Sequence, residues 1–348
     1  IAYYGSYAKG TATRRSDLDI FYTPAEGKKP PIARVFLVEG VLFDFWAIGW
    51  DRLEAWALGL GGTWSGLSGV VYHAKVLHAR DEACAKRLAG LKQRTLELLE
   101  PEARPGMVRR AVREFRSVLV QLGNLRLAAA DGELCDVRHA AWKVVGAAVE
   151  CLALANQVLL DRHGGGFVQR LVALGARPAD MEGLIGTVAR STDGAAIAGA
   201  GERLALETRR VLRGFQEAVW AEESAGGRCG INYPETQAGL GKVVSAWERG
   251  EAVAANLAAW RAQAEMALML AECKGRAADG DFNLYSEYAG AYREIGLPDL
   301  MKVGSGDFGQ LPGAVARFAR GVRSWLVSQG VDLQEFESVA ELGRWLGR

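Results

Sequence analysis

Tyr3-Tyr4-Gly5-Ser6-Tyr7-Ala8-Lys9 and, with ten residues between it and Ser6, Asp17-Leu18-Asp19 are the segments whose residue types could do chemistry. An apolar, aromatic run ends at Gly5-Ser6, where a short helix is expected to begin. Glycine lets a bulky group approach the backbone, and the unpaired N–H groups of a helix start favour anions. Ser6 adds a hydroxyl donor, so a phosphate chain suits this place. Asp17 and Asp19 flank one apolar residue in a predicted strand, where residues i and i+2 point to the same face. Two converging carboxylates repel unless a cation sits between them. Hard oxygen ligands with open positions suit Mg²⁺, which is held by one or two carboxylates plus substrate phosphates. A third acid, Asp44, is embedded in Leu42-Phe43-Asp44-Phe45-Trp46. A charge there has a desolvation cost and needs a partner such as a metal. If its strand lies beside that of Asp17 and Asp19, the three make an acidic metal-binding triad.

The elements that must position these residues follow from patterning. The first 50 residues hold 10 of the chain's 30 aromatics, in runs at 1–4, 19–22, 35–38 and 41–46 that read as strands. Pro24 to Pro31, with Gly27, Lys28 and Lys29, reads as a hairpin loop, and Gly40 as a tight reversal. Asp51 is expected to cap a helix carrying Leu53, Trp56, Ala57 and Leu60, stopped by Gly59, Gly61 and Gly62. Val70 to Leu77 reads as a last strand, followed by a helix from about Asp81. Pro101 and Pro105 mark the expected domain boundary. Beyond it, Val108, Ala111, Val112, Phe115, Val118, Leu119, Leu122 and Leu125 recur at helical spacing. Ala141 to Leu160 is apolar on most of its circumference. Further helices are expected at about 203–223, 241–273, 283–295, 312–329 and 335–347, with loops at Gly164-Gly165-Gly166 and Gly226-Gly227.

The expected fold is therefore α+β: a small mixed-sheet domain over residues 1–100 followed by an all-helical domain over 101–348. The chain has 348 residues, 49% hydrophobic and 24% charged, with 42 basic against 41 acidic side chains. A net charge of +1 argues against a general nucleic-acid binder. Val144 to Leu160 is interrupted by Glu150, Asn156 and Gln157, so no membrane span is expected. Five scattered cysteines (Cys84, Cys135, Cys151, Cys229, Cys273) suggest neither a disulfide framework nor a zinc site. They read as small core residues, and the chain as cytoplasmic. His73, His78, His139 and His163 show no metal-ligand spacing, and His78 reads as structural.

Gly5-Ser6, ten residues, Asp17-Leu18-Asp19 and then Asp44 together resemble the DNA-polymerase-β-like nucleotidyltransferase superfamily, over roughly residues 1–80. With the helical region that follows, the architecture is similar to bacterial antibiotic nucleotidyltransferases of the kanamycin-modifying kind. The resemblance implies that Gly5 and Ser6 hold the β- and γ-phosphates of a nucleoside triphosphate, expected to be ATP. It implies that Asp17 and Asp19 ligate two Mg²⁺ ions. Asp44 would ligate the second ion and help deprotonate the attacking hydroxyl. The implied reaction moves a nucleoside monophosphate to a hydroxyl of a small-molecule acceptor and releases pyrophosphate. A homodimer is left open.

Two departures stand out. The superfamily usually has a helix before the first strand, whereas this chain starts within that strand and without an initiator methionine, which suggests a truncated N-terminus. Some relatives recruit an acid of the helical domain as general base; no motif marks one here, and Glu114 and Glu150 are positional guesses. Glu150 shares a helix face with Lys143 and Gln157, which reads as a solvated or inter-helix polar stripe. Tyr285, Tyr288 and Tyr292 read as packing, Ser16 as turn chemistry, and Lys9, Arg14 and Arg15 as basic residues near the phosphates or an exposed loop. Two other readings keep the motifs: a protein-modifying nucleotidyltransferase of the antitoxin type, and a catalytically silent nucleotide sensor.

Overall fold

A computed structural model describes residues 1–25, 33–60, 62–160, 166–223, 233–276 and 279–347. The tip of the expected Pro24–Pro31 loop, His163, Gly164, Gly165, the Gly226-Gly227 pair and Cys229 lie outside the described residues. The class is α+β, with a small mixed sheet and many helices. The aromatic runs form β1 (Ala2–Tyr3), β2 (Leu18–Tyr22), β3 (Arg34–Val38) and β4 (Val41–Ala47). With β5 (Lys75–Val76) they make a five-stranded sheet in the order β3-β4-β2-β1-β5. β2 and β4 are parallel, and the other neighbours are antiparallel. Glu39 (φ 50°) and Gly40 (φ 79°) make the two-residue reversal between β3 and β4, the left-handed pair that matches strand twist. The edge strand β3 is exposed along its whole length.

Between β1 and β2 lies α1 (Gly5–Lys9). After β4 come α2 (Trp50–Ala57), a π-helical turn (Trp64–Ser68), α3 (Gly69–His73) and, beyond β5, α4 (Glu82–Glu97). Two expectations are corrected here. Gly49, not Asp51, is the N-cap of α2, and Asp51 sits in its first turn. The apolar run from Val70 is mostly helix, and only Lys75–Val76 is strand. His78 is exposed. One face of the sheet buries Ala2 and Phe21 with Leu53, Trp56, Val70, Val71 and Leu88 from the helices in one cluster.

The chain divides into two compact units, Ile1–Gln216 and Glu217–Arg348. Pro101 begins a single 3₁₀ turn, and Pro105 lies in the first turn of α5 (Arg104–Asp131), where its missing N–H removes no helical hydrogen bond. The α5 stripe is buried as its spacing implies, except Leu119, which is 46% exposed. The next helix, α6 (Leu134–Ala155), is exposed along one face at its start and buried nearly all round from Val144 on, Glu150 included. Three further helices follow: α7 (Phe167–Val172), α8 (Met181–Arg190) and α9 (Gly194–Glu223). In the second unit α10 (Tyr233–Glu248) and α11 (Ala252–Cys273) replace the single helix expected from 241 to 273. The break is at Gly250, in the left-handed region with φ 72°. They pack with α12 (Tyr285–Tyr288), α13 (Gly290–Glu294), α14 (Leu300–Gly306) and α15 (Leu311–Ser328) around one core that takes in Tyr288 and Tyr292. A last helix, α16, spans Val339–Leu346. Among the described residues no helix is long and apolar enough to cross a membrane. Cys84, Cys135 and Cys151 are outside any disulfide, and of these three Cys151 is the buried one, whereas Cys273 is disulfide-bonded, so the cysteines are not uniformly core residues.

Candidate active site

Parallel pairing of β2 with β4 sets Asp19 directly against Asp44. In-register neighbours on adjacent strands share a face, and so do residues two apart on one strand. Asp17 immediately precedes β2 and is exposed, rather than lying within the strand as expected. The turn before it explains Ser16: the Thr13 N–H donates to Ser16 Oγ at 2.9 Å and the Arg15 N–H to Thr13 Oγ1 at 3.2 Å. Arg14 and Arg15 are exposed.

Gly5 is required by close approach. The Tyr4 N–H donates to the Asp19 carbonyl at 3.0 Å, which draws the end of β1 onto β2. Gly5 has φ +68°, and a Cβ there would overlap the Asp19 carboxylate. Only glycine fits both the backbone angle and the space. Ser6 follows in the first turn of α1, and its hydroxyl is buried with no hydrogen-bond partner among the described residues.

The electrostatics single out Asp19. It is half-buried, and its carboxyl is pushed up to about 6, first by burial, then by the Asp17 and Asp44 charges, with Lys9 acting against them. The Tyr4 hydroxyl is driven further up, first by burial and then by the charge of Asp19, with Asp44 and Asp17 adding less. Tyr4 therefore stays a neutral donor at neutral pH.

A cavity of about 380 Å³ brings these groups together: Tyr4, Gly5, Ser6, Lys9, Asp17 and Asp19 line it. Asp44 stands beside Asp19 on the sheet but is not part of that lining. Residues that sequence reasoning passed over complete the wall: Thr63, Ser65, Gly66, Gly69, His73 and the Leu159-Leu160 pair. The Gly61-Gly62-Thr63 cluster was the available signal, and it reads from sequence only as a helix stop.

Glu150 and Glu114 are not in the lining. Glu150 is 4% exposed, and its carboxylate accepts a hydrogen bond from the Trp64 N–H at the start of the π-helical turn. The partly buried Arg110 guanidinium is shifted down by desolvation, against which Glu150 and then Glu114 act. Glu114 accepts from Ser117 Oγ at 2.8 Å. The Lys143–Glu150–Gln157 face is not a solvated stripe. Only Lys143 is exposed, and Gln157 Nε2 donates to the Leu98 carbonyl at 3.1 Å.

Among the described residues no group of three or more His, Cys, Asp or Glu side chains is closed up to hold a metal ion. The donor set still fits Mg²⁺, which takes one or two carboxylates and completes its shell with water and substrate phosphate. An acid raised by its neighbours' charge is one that a cation would return to the ionised form. No protein-family model matches the chain, and no curated protein matches it significantly.

Proposed function

We propose that the first unit is a Mg²⁺-dependent nucleotidyltransferase that moves a nucleoside monophosphate from a triphosphate, ATP among the candidates, to a hydroxyl of a small-molecule acceptor. One observation carries this reading: burial and the charges of Asp17 and Asp44 press on the Asp19 carboxyl, which lies against a glycine–serine turn that only a glycine can make. Gly5 lets the phosphate chain reach the backbone, and the partnerless Ser6 hydroxyl is a donor for it. Lys9, in the same lining, supplies positive charge. Asp17 and Asp19 would hold the metal, with Asp44 completing a second site. When bound, the ions neutralise the phosphates and orient an in-line displacement at the α-phosphorus. The acceptor oxygen bonds to that phosphorus, the bond to the β-phosphate oxygen breaks, and pyrophosphate leaves. The proton of the attacking hydroxyl passes to Asp44.

The test is nucleotide titration with and without Mg²⁺, followed by pyrophosphate release on a panel of hydroxyl acceptors. Asp17→Asn and Asp19→Asn should each lower transfer by more than about 100-fold, since even outer-shell partners of a metal cost about 10–100-fold. Asp44→Asn should bind triphosphate and fail in chemistry. Retained transfer in the first two variants removes the aspartates from the mechanism. Metal-dependent binding with no turnover on any acceptor replaces this reading with a nucleotide sensor.

A further inference from the structure

Among the polar groups of the cavity that the proposed chemistry does not use, Ser65 is buried and its Oγ is without a hydrogen-bond partner among the described residues. It is 6% exposed and lines the cavity with Ser6, Asp17 and Asp19. A hydroxyl withdrawn from water is normally satisfied by protein, water or ligand. The turn that carries it is pinned on both sides. Glu150 accepts from the Trp64 N–H, Trp64 Nε1 donates to the Val158 carbonyl at 2.8 Å, and Ser68 Oγ donates to the Trp56 carbonyl at 2.7 Å. Ser65 is thus held in place rather than free to find a partner elsewhere.

The same lining holds the uncharged side chains of Thr63, Val70, Leu159 and Leu160, together with His73 and, at the phosphate turn, Lys9. Asp17 and Asp19 are the carboxylates of that lining, and the proposed reaction commits both to metal. A cationic guest finds no spare counter-charge here. A nucleoside finds apolar side chains for its base and a hydroxyl for its sugar. At about 380 Å³ the cavity is at the small end for a small-molecule site. It suits one guest reaching from the phosphate turn to Ser65.

We infer that Ser65 hydrogen-bonds a ribose hydroxyl of the bound triphosphate and makes the site selective for ribonucleotides. This rests on the nucleotidyltransferase reading, so the experiment separates the two. The full chain is titrated calorimetrically, with Mg²⁺, against ATP, 2′,3′-dideoxy-ATP and inorganic tripolyphosphate. The wild type should bind ATP about tenfold more tightly than dideoxy-ATP, the value of one well-made hydrogen bond. In Ser65→Ala that ratio should fall to about one while tripolyphosphate affinity stays unchanged. Ser65→Cys, nearly isosteric and a poor donor, should lower the ratio likewise and stands in if the alanine variant does not fold. Equal wild-type affinities for ATP and dideoxy-ATP, with tripolyphosphate bound, overturn the inference and leave the phosphate site standing. An unchanged ratio in Ser65→Ala overturns it as well. Failure of the wild type to bind any of the three overturns both readings.

Discussion

Replacing Asp19 by asparagine should stabilise the protein in the absence of metal at neutral pH while abolishing its chemistry. The carboxyl is raised from 3.8 to about 6 by burial and by Asp17 and Asp44. An acid raised on folding costs stability wherever the folded state must hold it ionised. Below 3.8 both states are protonated and the cost is nil. It develops as pH rises from about 4 to about 6 and is complete above that. Transmitted in full, the displacement corresponds to about 3 kcal/mol. The group is only half-buried, so solvent screening reduces this to about 1 kcal/mol. For a unit of 216 residues that is about 2–4 °C in melting temperature. Thermal melts of both proteins in chelator at about pH 3.5 and about pH 7.5, below and above that window, give the comparison. The Asp19→Asn variant should melt higher at the upper pH and nearly level with wild type at the lower. Added Mg²⁺ should then raise the wild type more than the variant. A variant that is less stable than wild type at the upper pH, or offset equally at both, refutes the electrostatic account of the site.

Two further outcomes follow from the same geometry. Gly5→Ala places a methyl group against the Asp19 carboxylate at φ +68°. It should cost about 1–3 kcal/mol in denaturant titration and remove tripolyphosphate binding, whereas Gly10→Ala, open around its Cβ position, should keep that binding. Glu150→Ala leaves the Trp64 N–H without its acceptor and Arg110 without its principal counter-charge. It should destabilise the chain by about 3 kcal/mol, and Glu150→Gln, which keeps an acceptor, should recover part of that. If the alanine variant is as stable as wild type but inactive, Glu150 belongs in the reaction rather than under the turn.

Much of the first 50 residues was legible because strands there announce themselves twice. Aromatic and β-branched runs mark β2, β3 and β4, and Gly40 marks the reversal between two of them. The Asp-Leu-Asp spacing points Asp17 and Asp19 the same way, since side-chain direction alternates along extended chain. That Asp44 pairs in register with Asp19 was not legible. Strand order is decided by long-range packing, and the sequence offered it only as a condition. Helical stripes were equally plain in α5, yet Val70-Val71 misled, because a short apolar run reads the same in a buried helix turn as in a strand. The break between α10 and α11 was missed for the opposite reason: one glycine in a long apolar pattern is compatible with both continuation and reversal.

The hardest residues to see were those whose role depends on where a neighbour ends. Glu150 looked like a polar position on an apolar helix, and from sequence a buried carboxylate is either an error of patterning or a reagent. It proves to be an acceptor for the first N–H of a turn 86 residues earlier, where the opening N–H groups have no partner inside the helix. Ser65 carries no signal at all, because a serine after a glycine cluster is ordinary loop chemistry. Its meaning comes from three facts that only the folded chain joins: burial, a hydroxyl without a partner, and a shared cavity with Asp19. The phosphate end of the site lies on one short stretch of chain and could be read as a motif. The end that would choose among nucleotides is assembled from the stretch that follows α6 and the turn that Glu150 supports, and a motif cannot carry it.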